Sequence, residues 1–291
     1  MIRLTVLFFA VFSFSISLGI AQSHKYSRGK DWFSSTQGFI GVWAGANASQ
    51  IQLNQSYSDF TLISSGDEVI DDQKAYDTFS SNIGNELGLS TAFSFSKLLT
   101  LAFSPSYKTI QYNYHSQFIW QDEENSSNIL EHKYQHKQIL HYLSLPLAIR
   151  FKAYGKRIRP YVQFGGYYDM LINAQKQVTT EGIDQASGAQ ISFTDAPQST
   201  DISQLYIRSH AGVMGGAGLS YNLGTMLIYL DAQYRYGLHS ISSASNRYKG
   251  TRNLPGFGNV QDDLSIRNIS LSFGCYFPLK FLTKDFKPVI L

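Results

Sequence analysis

Apolar and polar positions alternate with a period of two along much of the chain, the pattern of strands that keep one face in an apolar medium. The segment 265–277 is the clearest: Ile269, Leu271, Phe273, Cys275 and Phe277 share one face, and Asn268, Ser270, Ser272, Gly274 and Tyr276 the other. In 226–240, Met226, Ile228, Leu230, Ala232, Tyr234, Tyr236 and Leu238 oppose Tyr229, Asp231, Gln233 and Arg235. In 138–153, His141, Leu143, Leu145, Leu147, Ile149 and Phe151 oppose Tyr142, Ser144, Ala148 and Arg150. The segment 159–176 sets Val162, Phe164, Tyr168, Met170 and Ile172 against Gln163, Gly165, Tyr167, Asp169 and Asn173. The segment 83–96 sets Ile83, Leu87, Leu89, Phe93 and Phe95 against Glu86, Gly88, Ser90 and Ser94. A glycine-rich strand, 207–221, sets Ala211, Val213, Ala217 and Leu219 against His210, Gly212, Met214, Gly216, Gly218 and Ser220. In 99–118 the apolar phase begins on Leu99, Leu101 and Phe103 and slips to Ile110, Tyr112 and Tyr114, which predicts a bulge or a protrusion beyond a membrane. The strand 38–48 is rich in Gly and Ala, and its facing is ambiguous. Pro146 lacks the amide that a ladder needs, so it predicts a local bulge within 138–153.

These eight strands are joined by connections of alternating length. Ser96-Lys97-Leu98, Tyr154-Gly155-Lys156-Arg157 and Asn222-Leu223-Gly224 are short, whereas 49–82, 119–137, 177–206 and 241–264 are long and polar. Short turns at one end and long loops at the other describe a bacterial outer-membrane barrel. A soluble sandwich would turn the apolar faces inward. The alternating segments are longer than most sandwich strands, and the opposite faces are dense in Gly and Ser, as the interior of a narrow tube requires. The predicted fold is all-β: an eight-stranded up-and-down antiparallel transmembrane β-barrel with short periplasmic turns and long extracellular loops. Tyr236, Phe277, Phe151 and Phe95 fall near strand ends, where aromatic girdles belong.

The N-terminus assigns the compartment. Arg3 precedes an apolar stretch from Leu4 to Ile20, and Gly19 and Ala21 place small residues where a signal peptidase reads them. The expected organisation is a cleaved signal peptide at 1–21, an N-terminal periplasmic segment at 22–37, the barrel at 38–277 and a periplasmic tail at 278–291. Loss of Arg3 would leave 23 basic and 21 acidic residues.

Composition narrows the functions. Charged residues make up 15% of the chain, against about 25% in a soluble domain. Aromatics reach 14% with 19 Tyr and 20 Phe, which argues against disorder. The single Cys allows neither a disulfide framework nor a Cys-rich zinc site. A net charge of +3 gives no nucleic-acid footprint.

The segments Tyr142-Leu143-Ser144-Leu145-Pro146-Leu147, Lys156-Arg157-Ile158-Arg159-Pro160-Tyr161-Val162 and Gly165-Gly166 resemble the Y-L-x-I-P-L and R-P-Y-V-x-x-G signature of PorT-like outer-membrane β-barrel proteins of the Bacteroidetes. Gly215-Gly216-Ala217-Gly218, Tyr234-Arg235-Tyr236-Gly237-Leu238 and Arg267-Asn268-Ile269-Ser270-Leu271 resemble that family's closing strands. The resemblance covers roughly 140–277. Two departures are the chain beyond Pro278 and the length of loops 49–82 and 177–206. The resemblance implies an outer-membrane barrel whose founding relative is associated with type IX secretion.

Candidate chemistry is sparse. Glu86, Lys108, Arg150, Asp169, Asp231 and Arg235 all take lumen positions, and an eight-stranded barrel is just wide enough for its side chains to fill. A mutually neutralising charge network is the bland reading, and a proton or ion path the sharp one. His132 and His136, with His115 and His141 nearby, would lie too far apart on an extended strand to share a metal, and they read as surface histidines. His210, Asp231 and His239 supply hydrolase residue types, but there is no G-x-S-x-G. Lys97, Lys152, Lys156, Arg157, Arg159, Lys280, Lys284 and Lys287 cluster at the periplasmic end and read as solvated turns, with a periplasmic or lipid-headgroup docking surface as the alternative. The expectation is a monomeric, non-enzymatic barrel without metal or cofactor. Its partners are outer-membrane lipid and other envelope or secretion components, not nucleic acid. A small-solute pore and an outer-membrane lipid or peptide hydrolase stay open as rivals.

Overall fold

The computed structural model describes residues 37–57, 74–79, 82–121, 129–153, 157–185, 191–247 and 260–279. The expected leader, nearly all of the segment 22–37 and most of the tail lie outside these residues, as do Lys156, Lys280, Lys284 and Lys287. Eight long strands form the barrel: β1 (Gln37–Gln55), β2 (Ile83–Ser94), β3 (Leu99–Phe103, continuing as Ser106–Gln121), β4 (Ile129–Lys152), β5 (Ile158–Asp184), β6 (Ser209–Asn222), β7 (Leu227–Gly237) and β8 (Asp263–Pro278). Each pairs antiparallel with its sequence neighbour, and β8 pairs with β1, so the sheet closes on itself. Closure leaves no unpaired backbone edge within a bilayer.

The two faces separate as alternation predicts. Phe273 is 58% exposed, Leu271 55%, Phe164 60% and Leu89 54% on the outer surface. This continuous apolar band would be costly in water and is the normal surface of a barrel in lipid. It runs from about Phe95, Phe151 and Phe277 at one end to about Tyr107, Ile172 and Tyr236 at the other. Short turns close the periplasmic end. In the turn between β6 and β7, Gly224 takes φ 95°, a conformation that favours glycine, and its amide donates to Asn222 Oδ1 at 2.7 Å. The facing of β1 is now fixed: Phe39, Trp43, Asn47, Ser49 and Ile51 are buried inside.

Several expectations are corrected. The apolar residues of 99–118 do move from odd to even positions, but with no register shift in the pairing, so of the two readings the bulge is absent and the protrusion beyond the band is found. Even-numbered residues from Thr100 to Ser116 point inward throughout, apart from a break at Ser104-Pro105 across which the register is kept. Ile110, Tyr112 and Tyr114 are apolar because above the band the interior itself becomes apolar. With Ile51, Leu140, Ile202, Leu205, Tyr206, Ile241 and Leu264 they form a buried cluster across the outer mouth. The irregularity of β4 is not at Pro146, which sits in an unbroken register opposite Tyr167. It falls between His141 and Tyr142, opposite the extra residue Ile172. Beyond this bulge the phase of β5 inverts, so Ala174 and Lys176 are buried and Asn173 does not take the lumen position.

The outer loops are also less irregular than expected. β3 to β5 run on as a sheet to Gln121, Ile129 and Asp184, and the short strands Ala75–Tyr76, Ile191–Thr194 and Gln198–Asp201 add to it. Tyr134, His136 and Gln138 point in while Lys133, Gln135 and Lys137 point out. Both faces are polar or aromatic there, which erases the apolar alternation. His136 is thus not a surface residue: it is 2% exposed, bonded to Ser116 Oγ at 3.1 Å and stacked on Tyr114. Asp262 pins two loops, accepting from Lys74 Nζ at 3.0 Å, Tyr76 Oη at 2.6 Å and the Tyr57 amide at 2.8 Å.

Candidate functional site

The six candidate charges all point into the barrel, each no more than 5% exposed. They form two layers. In the layer nearer the periplasm, Arg150 reaches from β4 across the lumen to β7, donating from Nη2 to Asp231 Oδ2 at 3.0 Å. Its Nε donates to Gln163 Oε1 at 2.8 Å and its Nη1 to Tyr276 Oη at 3.0 Å, so each of its three nitrogens has an acceptor. The guanidinium lies 5.1 to 5.7 Å from the ring centres of Tyr161, Tyr229 and Tyr276. Tyr161 Oη donates to the second oxygen of Asp231 at 2.5 Å.

In the outer layer, Glu86 on β2 is shared by two cations. Lys108 stands directly opposite on β3 with Nζ at 3.7 Å, and Arg235 arrives from β7 with Nη2 at 3.2 Å. The fourth charge, Asp169, faces none of the basic candidates within ion-pair distance. Its near neighbour is His210, with Nε2 at 3.6 Å from Oδ2. Sequence reasoning placed His210 on the lumen face but grouped it with Asp231 and His239 as a hydrolase candidate. The structure separates that trio: Asp231 is held by Arg150 and Tyr161, His210 stands against Asp169, and His239 is exposed.

Aromatic rings occupy much of the remaining section, and glycines make room for them. A Cβ on Gly274 would lie 2.6 Å from the Tyr229 ring, and one on Gly218 2.6 Å from the Tyr161 ring. Gly212 faces Tyr167 in the same way. Gly216 differs from the expectation that it makes space for a ring, since its Cβ would meet the Ala232 carbonyl. Two cavities in the lumen measure about 10 and 20 Å³, each room for about one water. A larger concavity of about 620 Å³ opens mainly on the lipid-facing surface, beside Val162, Ala217, Leu230, Ala232 and Leu271, with Tyr161 and Gly218 also in its lining.

At the periplasmic end Lys97 and Arg157 are exposed, as a solvated turn requires. Arg159 is buried, and Lys152 reaches Ser94 Oγ at 3.4 Å and lies over the Phe39 ring. Those two cap the lumen instead of facing solvent. Among the described residues no cluster of His, Cys, Asp and Glu is arranged to hold a metal ion.

Solved structures similar to this chain are outer-membrane proteins. The attachment invasion locus protein Ail of Yersinia pestis is 12% identical, with 83% of this chain and 99% of that one covered and a TM-score of 0.31. OprG of Pseudomonas aeruginosa is 13% identical over 85% and 99%, with a TM-score of 0.37. The outer membrane protease OmpT of Escherichia coli is 9% identical over 88% and 99%, with a TM-score of 0.27. No curated protein matches the chain. The family model described as outer membrane protein beta-barrel domain matches residues 20–243, well over half of the 291 residues. With the closed antiparallel ring and its apolar outer band, this match makes the chain a member of the outer membrane protein beta-barrel domain family, and its place the outer membrane.

Proposed function

We propose that this protein is a closed, non-enzymatic barrel of PorT-like type that serves as a structural or accessory component of protein secretion across the outer membrane. The observation that carries the closed reading is the lumen. Trans-lumen ion pairs and aromatic rings occupy its section, and the outer mouth is covered by the apolar cluster around Tyr112 and Leu140. Such a barrel contributes its surfaces, not a passage: the outer sheet of β3 to β5 toward the exterior, and the exposed turn residues Lys97 and Arg157 toward the periplasm. The secretion role is supported by the resemblance of 140–277 to the PorT-like signature. A cleaved leader at 1–21 delivers the chain to the envelope, and the tail that begins at 278 remains periplasmic.

Comparison of the secreted proteins of a deletion strain with those of its parent tests the role. Retention in the cell of a defined set of exported proteins, restored by the intact gene, is expected. An unchanged secretome in a strain with an intact outer membrane would overturn it.

A further inference from the structure

Four inward positions on neighbouring strands form one continuous row. Ser106 on β3 stands opposite Ser144 on β4, Ser144 opposite Asp169 on β5, and Asp169 opposite His210 on β6. They are 3%, 0%, 1% and 4% exposed. Both serine hydroxyls, both carboxylate oxygens of Asp169 and Nδ1 of His210 have no hydrogen-bond partner within the protein, and neither has the hydroxyl of Tyr142 in the adjacent row. The 3.6 Å between His210 Nε2 and Asp169 is too long for a hydrogen bond. Buried polar groups are almost always satisfied, and a carboxylate left bare in a low dielectric is among the costliest exceptions.

The geometry says what size of guest is required. Directly opposed residues of an antiparallel pair hold their Cβ atoms about 4.5–5.5 Å apart. Between short side chains such as Ser and Asp at that spacing, the largest guest that fits is a single small molecule. Charge says what kind. In this layer Glu86 and Asp169 balance Lys108 and Arg235, so the layer is neutral with His210 neutral. A bound cation or anion would add an uncompensated charge at buried depth. The row also mixes pure acceptors on Asp169 with hydroxyls that donate and accept. A small, neutral molecule that both donates and accepts is water.

We propose that the row Ser106–Ser144–Asp169–His210 is an internal hydration site, in which ordered water molecules bridge the Asp169 carboxylate to the serine hydroxyls, to Tyr142 and to the imidazole. The site ties β3, β4, β5 and β6 together through their side chains, where the two trans-lumen ion pairs tie β4 to β7 and β2 to β7. It stands apart from any role in secretion, because it follows from the polar atoms of the lumen alone.

A crystal structure of the full-length protein, determined from crystals soaked in rubidium chloride with anomalous data collected, tests it. Discrete density is expected at about 2.6–3.2 Å from an Asp169 oxygen and from at least one of the two serine hydroxyls, with no rubidium peak. A rubidium peak at the row would make it a cation site and overturn the proposal. So would direct bonds from Asp169 to Ser144 and His210 with no density between them. In the Ser106→Ala/Ser144→Ala variant, loss of at least one of these waters with the Glu86–Arg235 pair intact is expected. Retention of all of them would show that the serines do not hold water. If that variant does not assemble, the wild-type crystals decide alone.

Discussion

Glu86 carries the outer charge layer, so its replacement has a calculable consequence. Glu86→Gln keeps the shape of the side chain and removes its charge. Lys108 and Arg235, each 1% exposed, then face one another with Asp169 as the remaining anion, and the layer goes from neutral to +1. Removing one partner of a buried ion pair costs about 3–5 kcal/mol, because the other charge stays buried and unpaired. At 1.4 kcal/mol per tenfold, this lowers the folding equilibrium constant by about two to three and a half powers of ten. The double variant Glu86→Gln/Lys108→Met returns the layer to neutrality, with Arg235 opposite Asp169 in charge count and still donating to Gln233 Oε1 at 3.3 Å. It is expected to recover at least half of the loss. The assay is urea titration in lipid vesicles, with the folded fraction read by heat-modifiable gel migration, run as a double-mutant cycle. A Glu86→Gln variant within about 0.5 kcal/mol of wild type, the range of an inert surface change, would refute the argument. So would a double variant no better than the single one.

Two further outcomes follow from packing and titration. Gly274→Val would drive a Cβ against the Tyr229 ring at 2.6 Å and Trp43 Cβ at 2.7 Å, and should cost about 1–3 kcal/mol in the same titration. Ala46→Val, on the lipid face, should be near neutral; equal effects from the two would show that the lumen is not tightly filled. His136, on the part of β4 above the lipid band, has its pKa pushed down to about 2, by burial first and then by the nearby Lys176 and Lys74. Folded His136 therefore stays neutral while the unfolded residue takes up a proton near 6.5. Its contribution is fully present above pH 6.5 and is lost progressively as pH falls toward about 2, by up to about 1.4 kcal/mol per unit. His136→Gln should flatten that part of the stability–pH curve, and an unchanged slope would contradict its burial as a neutral group.

What the sequence reveals depends on where the environment changes. Within the lipid band, lipid outside and small or charged groups inside differ in polarity, and the facing of Leu230, Asp231, Ala232 and Arg235 was legible from period-two alternation alone. Above the band both sides of the sheet are polar or aromatic, so the run from Tyr134 to Lys137 reads as loop although it is strand. The slip of apolar phase in 99–118 has a related origin. Ile110 and Tyr112 are inside as their parity requires, but inside had ceased to be polar. The lumen charges were found by phase, yet which of them meet was not. Arg150 and Asp231 sit on β4 and β7, Arg235 and Glu86 on β7 and β2, and contacts across a tube depend on stagger that no single strand records. The bulge at Ile172 leaves no mark in the alternation, and Pro146 offers a more obvious cause a few residues along β4 from the break at His141 and Tyr142.

The central claim is that this membrane-spanning ring is closed by its own side chains. The most direct test is single-channel recording of the purified, refolded protein in planar lipid bilayers, with folding verified by heat-modifiable migration. Insertion without discrete conductance steps is the expected result, since ion pairs and rings fill the section and the two cavities beside Arg150 are of single-water size. Reproducible unitary openings that scale with the number of inserted barrels would contradict it and make the protein a pore.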